Sequence, residues 1–186
     1  IVKETEQGKI DPSQVLALTF TNKAALEMKE RVNALMPDMI EKGMNITTFH
    51  GFCLGVLRAD GSPVGISPGF SICTESDSML LADEAGKETG AGREAMAKFK
   101  KAVSELKFMY AIDKEPGVAF MDIIPLFDKY REKLKSYNML DFDDLEAETL
   151  RLFRMHPETA MKYATRYKRI FVDEYQDTNP IQSLIL

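Results

Sequence analysis

A run of apolar residues near the start of the chain, Val15-Leu16-Ala17-Leu18-Thr19-Phe20, does most to restrict the fold. A strand with apolar side chains on both faces is typical of a parallel sheet that is covered by helices on both sides. Two more β-like runs lie at 45–49 and 169–172, and the second stops abruptly at Asp173-Glu174. We therefore expect parallel strands near both ends of the chain.

The middle of the chain shows the 3-4 spacing of amphipathic helices. Apolar residues share one face in 23–36, in 93–110 and in 118–138, where Pro125 predicts a kink or a first-turn position. Three glycines between Gly86 and Gly92 should break any helix there. Helices between terminal strands predict an α/β domain that carries an all-helical insertion.

One further helix start is readable after the insertion. Asp141, with Asp144 three positions on, predicts a capped helix that runs through Phe153.

The composition excludes several classes of protein. In 186 residues there is no apolar run of roughly 18 residues that could span a membrane, and no basic-then-apolar leader. The two cysteines, Cys53 and Cys73, are too few for a disulfide framework, and with only His50 and His156 a zinc site has little support. We expect a cytoplasmic protein with no membrane partner. The net charge of −5 does not exclude nucleic acid, because net charge says little about a local site.

The acidic pair Asp173-Glu174 is the strongest candidate for chemistry. In an open parallel sheet, ligands bind beyond the carboxyl ends of the strands. One carboxylate there can hold Mg²⁺ through its water shell, and its neighbour can orient an attacking water. The alternative is a strand that runs into the acidic N-terminus of a helix.

Four ordered segments resemble superfamily 1 DNA helicases of the UvrD, Rep and PcrA type. The segment 173–179, Asp-Glu-Tyr-Gln-Asp-Thr-Asn, resembles the motif II signature of these helicases, and 19–28 resembles motif Ia. The segment 47–53 is similar to the next DNA-contacting block, and 140–145 to the segment that returns the chain from the helical insertion.

The resemblance implies a partial RecA-like parallel sheet (subdomain 1A) with an all-helical insertion (subdomain 1B). Subdomain 1A would comprise 1–58 and 140–186, and subdomain 1B would comprise 59–139. Family analogy implies ATP and Mg²⁺ as cofactors, with Asp173 binding the metal and Glu174 activating the hydrolytic water. It also implies that Gln176 couples the nucleotide site to the DNA site.

Motif Ia lies where a strand ends and a helix begins, so Thr21, Asn22 and Lys23 can meet a phosphate of single-stranded DNA. An exposed Phe20 there would offer a face on which a base can stack. The alternative is that Phe20 is a core residue and that Thr21-Asn22 only caps the helix. The next block gives a second predicted DNA patch, formed by Thr48, His50 and Phe52, with a core or capping role as the alternative for His50.

Other sequence patterns are weaker evidence for a functional site. The segment Asp83-Glu84-Ala85-Gly86 mimics an acidic motif but lies in a helical pattern, and 86–89 lacks the GxxxxGK[ST] spacing of a phosphate loop. Three lysines predict a solvated helix face, with a duplex-DNA contact as the minority alternative. They are Lys98, Lys100 and Lys101.

The chain begins with Ile1 rather than Met and ends on an apolar run, so we expect a piece of a longer polypeptide. Residues 1–8 would be the end of the helix that follows the absent glycine-rich Walker A loop. The predicted parent is an ATP-dependent helicase that acts on single-stranded DNA and single-strand/duplex junctions. Its Walker A segment and second RecA-like domain would be partners of this chain, which alone would be inactive. The alternative is a non-catalytic helicase-derived module that binds DNA or protein.

Overall fold

The computed structural model of the chain describes residues 10–186, so the helix end expected over residues 1–8 lies outside the described residues. Short strands occupy the two ends of the described chain and helices fill the middle. The strands are β1 (Val15–Thr19), β2 (Asn45–Thr48), β3 (Ser71–Ile72), β4 (Met139–Leu140) and β5 (Arg169–Val172). The helices are α1 (Asn22–Leu35), α2 (Phe49–Asp60), α3 (Glu75–Thr89), α4 (Arg93–Ala111), α5 (Ile124–Ser136), α6 (Phe142–Met155), α7 (Pro157–Arg166) and α8 (Pro180–Ile185).

The three strands expected from the sequence form one parallel sheet in the order β2-β1-β5. Every residue of β1 is buried, as its apolar run predicts. Successive side chains of a strand point to opposite faces, and β1 contributes to a separate apolar cluster on each face. Leu16 and Leu18 pack with α2 and α6, whereas Val15 and Ala17 pack with α1 and β2.

The strand β5 is less buried than its apolar sequence predicts. It pairs with β1 alone in the described sheet, so it is an edge strand there. The side chain of Ile170 is 41% exposed, and Phe171 and Val172 are only half-buried. The strand assignment is confirmed, but its burial is not seen among the described residues.

The helices of the middle segment have an apolar core of their own. Cys73, Phe99, Leu106, Ile123 and Tyr130 belong to this core, which α3, α4 and α5 build together. A two-stranded parallel sheet, β3 with β4, joins the start and the end of the segment. The fold class is therefore confirmed as α/β, a partial RecA-like sheet with a helical insertion. The boundaries 1–58, 59–139 and 140–186 stay a prediction.

The glycines of 86–92 and Pro125 affect the helices in ways that differ from the prediction or make it more definite. The predicted break between Gly86 and Gly92 occurs only at its far end, because α3 continues through Gly86 and ends at Gly90, which has a left-handed φ of 69°. Gly86 is buried, and a Cβ there would lie 2.6 Å from the Met96 sulfur, so it serves close helix packing. Pro125 occupies the first turn of α5 rather than a kink.

Buried charged side chains stabilise the segment where the chain passes from the helical insertion back to the sheet. Asp141 caps α6 as predicted, in a reciprocal capping box with Asp144. The Lys107 ammonium of α4 forms a hydrogen-bonded ion pair with Asp141 and lies 2.8 Å from Asp144 Oδ1, and the Tyr130 hydroxyl donates to Asp141 at 2.7 Å. We call these four residues the junction cluster.

Candidate functional site

The carboxyl ends of the three sheet strands lie at one edge of the sheet. In the parallel register Thr19 pairs with Thr48, and Leu18 pairs with Val172. The segments that follow β1, β2 and β5 therefore leave the sheet at the same edge, which we call the strand edge. The structure thus brings together the predicted DNA-contacting blocks and the acidic pair.

The acidic pair continues β5 by one residue and then turns sharply. The Asp173 amide donates to the Leu18 carbonyl oxygen at 2.9 Å, and Glu174 has left-handed backbone angles, φ 52° and ψ 45°. A 3-10 turn, Tyr175–Asp177, follows, and α8 begins only at Pro180. Glu174 is the N-cap of this single 3-10 turn, so the acidic pair lies before a short turn and not in the first turn of an α-helix.

Both carboxylates face solvent. Asp173 and Glu174 are exposed, and the Gln176 side-chain amide donates a hydrogen bond to the Glu174 carboxylate. A non-glycine residue with left-handed backbone angles is uncommon, and such residues are enriched at functional sites. Gln176 contacts the carboxylate to which the helicase resemblance assigns water activation.

The donor set suits a magnesium ion that is bound mainly by phosphate and water. Mg²⁺ prefers oxygen ligands and takes only one or two protein carboxylates at nucleotide sites. Asp173 offers an exposed carboxylate at the strand edge. Within residues 10–186, groups of three or more His, Cys, Asp or Glu that would cage a metal by themselves are absent.

The motif Ia segment is mostly exposed. Thr21 caps α1, its hydroxyl accepting the Ala24 amide at 3.1 Å, while Asn22 and Lys23 are exposed on the first turn. Phe20 is half-buried, with its ring 5.6 Å from that of Phe49. The capping role of Thr21 is therefore present, and Phe20 keeps part of its surface toward solvent.

The second predicted DNA patch is divided by burial. His50 is half-exposed at the start of α2. Thr48 is buried and caps α2 by accepting the Gly51 amide at 3.0 Å. Phe52 lies in the core, edge-on to Tyr163 and Tyr167 at 5.9 and 6.2 Å. Of the three predicted contacts, His50 alone presents a half-exposed side chain, whereas the burial of Thr48 and Phe52 does not fit the direct DNA contact predicted for them.

One residue at this edge was missed by sequence reasoning. Glu146 of α6 is buried, and its carboxylate accepts hydrogen bonds from Asn179 at 2.8 Å and from Gln182 at 2.7 Å. His50 Nε2 lies 3.4 Å from Glu146 Oε1. The signal in the sequence was the Asn-x-x-Gln spacing of a capping box, together with an acidic residue directly after the apolar Leu145.

The signals of lesser weight behave as expected. Asp83-Glu84-Ala85-Gly86 is helical in α3. Cys53 and Cys73 are buried free thiols, and burial raises the pKa of Cys53 to about 12, so it is an inert apolar side chain.

Comparison with known proteins decides the family. Residues 1–186 match the UvrD/REP helicase N-terminal domain. The chain belongs to this family. Its membership confirms the resemblance that the four sequence segments indicate.

Curated relatives of the UvrD/REP family show the same similarity. The chain is 37% identical to the ATP-dependent DNA helicase UvrD1 of Mycobacterium leprae, over 94% of this chain and 24% of that protein. It is 36% identical to a probable DNA helicase II homolog of Mycoplasma capricolum, over 95% of this chain and 26% of that protein. For the ATP-dependent DNA helicase PcrA of Staphylococcus aureus the identity is 34%, over 95% of this chain and 25% of that protein. The chain thus spans about a quarter of the relatives it matches.

None of the helices within residues 10–186 combines the length and the apolar character of a membrane span.

Proposed function

We propose that this chain is part of an ATP-dependent DNA helicase that moves along single-stranded DNA and separates duplex DNA by hydrolysing ATP. One observation carries the proposal: the strand edge gathers the acidic pair and both DNA-contacting blocks in a chain of the UvrD/REP family. Ligands of open parallel sheets bind at this edge.

The nucleotide would bind against the acidic pair. Asp173 would hold the Mg²⁺ of ATP, directly or through water, and the bound ion would supply charge neutralisation for the phosphates. The Glu174 carboxylate would orient the attacking water and accept its proton. Gln176, which donates a hydrogen bond to the Glu174 carboxylate, would keep it oriented toward the attacking water. The exposure of both acidic side chains supports this assignment.

Single-stranded DNA would cross the same edge beside the nucleotide. Thr21, Asn22 and Lys23 would contact phosphates at the start of α1, and Phe20 would stack on a base with its solvent-facing surface. His50 would make a second contact. Thr48 and Phe52 would act indirectly, as the cap of α2 and as the core residue beneath it.

The 186 residues contain no GxxxxGK[ST] loop. Complete activity would therefore need segments outside them. A Walker A loop and a second RecA-like domain are the partners we propose, and we infer that the isolated chain does not turn over ATP. We place the parent in the cytoplasm, acting on single-strand/duplex junctions. Its two free thiols fit a reducing compartment.

The test compares two exposed carboxylates in the complete protein. Glu174→Gln should lower ATP turnover in the presence of single-stranded DNA by roughly 10²- to 10⁴-fold. Glu105→Gln, at an exposed position of α4 in the helical insertion, is the control and should stay near wild type. Full turnover by Glu174→Gln, or robust turnover by the isolated 186-residue chain, would contradict the proposal. DNA binding without any turnover in the complete protein would favour the non-catalytic module instead.

A further inference from the structure

The buried carboxylate of Glu146 accepts hydrogen bonds from two side-chain amides of one short segment, 179–182. Asn179 Nδ2 donates to Glu146 Oε2 at 2.8 Å, and Gln182 Nε2 donates to Glu146 Oε1 at 2.7 Å. Glu146 is 4% exposed. Taking a carboxylate out of water is costly unless its oxygens are hydrogen-bonded, so this arrangement needs both donors.

The orientation of the two amides is fixed by the capping box of α8. Asn179 Oδ1 accepts the Gln182 backbone amide at 2.8 Å, and Gln182 Oε1 accepts the Asn179 backbone amide at 3.1 Å. Both side-chain oxygens are therefore occupied, and both NH₂ groups must point away from the cap, toward Glu146. A glutamine at position 146 would place its own NH₂ against one of them, because only a carboxylate accepts at both ends.

Glu146 also lies against the predicted DNA contact. His50 Nε2 is 3.4 Å from Glu146 Oε1, and the His50 ring packs edge-on against Phe142 at 5.6 Å. His50 is half-exposed, so DNA at its open side would compete with Glu146 for the imidazole. Asn179 is the last residue of the segment 173–179, which begins with Asp173 and Glu174. One side chain thus touches both the DNA block and the loop of the acidic pair.

We propose that Glu146 is a positioning residue that couples DNA at His50 to the placement of the loop carrying Asp173 and Glu174. The inference rests on the proposed function, since it concerns DNA-stimulated ATP turnover. Glu146 acts through Asn179 and Gln182 and does not itself touch nucleotide or DNA. Coupling of this kind requires a physically connected element that both sites bias, and the α8 cap is that element.

The experiment uses Glu146→Leu and Glu146→Gln in the complete protein, with Glu148→Leu as the control. Glu148 is also buried in α6, but its carboxylate binds Arg151 at 2.7 Å on another side of the helix. ATP turnover is measured with and without saturating oligo(dT), and oligo(dT) affinity is measured by fluorescence anisotropy. The ratio of stimulated to unstimulated turnover should fall by roughly 2- to 30-fold in both Glu146 variants and stay at the wild-type ratio in Glu148→Leu.

A purely structural role would give a different result. Lost folding stability would lower stimulated and unstimulated turnover in proportion and leave their ratio unchanged, which would overturn the inference. The double variant His50→Ala with Glu146→Leu should lose no more stimulation than His50→Ala alone, because the two residues act in series. Additive losses would also overturn it.

The two proposals fail in distinguishable ways. A stimulated wild-type protein whose Glu146 variants keep the full ratio overturns this inference alone. A wild-type protein that oligo(dT) does not stimulate overturns the proposed function, and the coupling with it. Glu146→Gln preserves the volume of the side chain, so the ratio is measurable even when Glu146→Leu fails to fold.

Discussion

Two pairs of acidic residues in this chain lie in opposite surroundings. Asp141 and Asp144 are buried in the junction cluster, where Lys107, Tyr130 and two backbone amides satisfy their oxygens. Asp173 and Glu174 are exposed at the strand edge, where Gln176 donates to Glu174. A carboxylate whose oxygens are all used inside the protein is structural, whereas an exposed carboxylate remains able to bind a ligand.

The largest effect should come from removing the cation of the junction cluster. Lys107→Met keeps the length of the side chain but leaves Asp141 and Asp144 buried without their counter-ion. We expect a loss of about 3–5 kcal/mol in the free energy of unfolding. The measurement is urea unfolding followed by circular dichroism.

The control for that loss lies on the same helix. Lys101→Met removes a lysine at an exposed position of α4 and should change the free energy of unfolding by about 0.5 kcal/mol or less. Equal losses in the two variants would mean that the buried cluster holds the junction no better than an exposed side chain does.

The comparison also shows which structural features could be predicted from the sequence. Motif order and strand patterns were sufficient to predict the three strands, the Asp141 cap and the place of the acidic pair at the carboxyl end of a strand. These features depend on local sequence pattern and on the rule that ligands of open parallel sheets bind beyond the carboxyl ends of the strands. The burial of Lys107 and Glu146 was not predictable in the same way, because their charged groups bind partners 33 or more positions away.

Other structural features were missed because the local pattern is too short or ambiguous, or because the packing partner is distant in sequence. The strands β3 and β4 contain two residues each, too few for an alternating pattern. Gly86 carries no pattern that distinguishes a helix break from a close helix contact with Met96. The burial of Phe52 follows from packing against Tyr163 and Tyr167, more than a hundred residues later in the chain.

At the strand edge, the next largest effect should come from Phe20. Phe20→Ala in the complete protein should weaken binding of single-stranded DNA by about 1–3 kcal/mol, because it removes the surface on which a base stacks. The measurement is fluorescence anisotropy with labelled oligo(dT). Leu26→Ala, an exposed apolar residue further along α1, is the control. Unchanged affinity in Phe20→Ala would assign that ring to the core alone, where it packs on Phe49.

Acid should separate the two carboxylates of the junction cluster. Burial raises the pKa of Asp144 to about 6, more than Lys107 lowers it. Burial also acts to raise the pKa of Asp141, but attraction to Lys107 together with the hydrogen bonds from Lys107, Tyr130 and the Asp144 amide lowers it below its usual range. Asp144 therefore binds its proton more tightly in the folded state than in the unfolded state, where its pKa is about 3.9. Its contribution to stability is present at low pH and is lost as the pH rises from about 4 to 6.

Asp144→Asn should abolish that contribution. The free energy of unfolding of wild type minus that of Asp144→Asn should decrease by roughly 1–2 kcal/mol between pH 4.5 and pH 7. Urea unfolding at the two pH values measures the difference. A difference that grows with pH would show that Lys107 governs Asp144 as it governs Asp141.

The smallest effect is expected on the exposed lysines of α4. Lys98 forms an ion pair with Asp122, and Lys100 Nζ lies 3.9 Å from Asp83, so part of the local positive charge is already balanced by neighbouring acids. A phosphate contact by a lysine adds about one to the salt slope of DNA binding. Lys101→Ala should therefore leave the salt slope for a single-strand/duplex junction unchanged, whereas Lys23→Ala at the strand edge should lower it by about one. A slope reduced by Lys101→Ala and unchanged by Lys23→Ala would move the DNA contact from the strand edge to the helical insertion, and the exposed lysines would then be the ligand-binding charges of this chain.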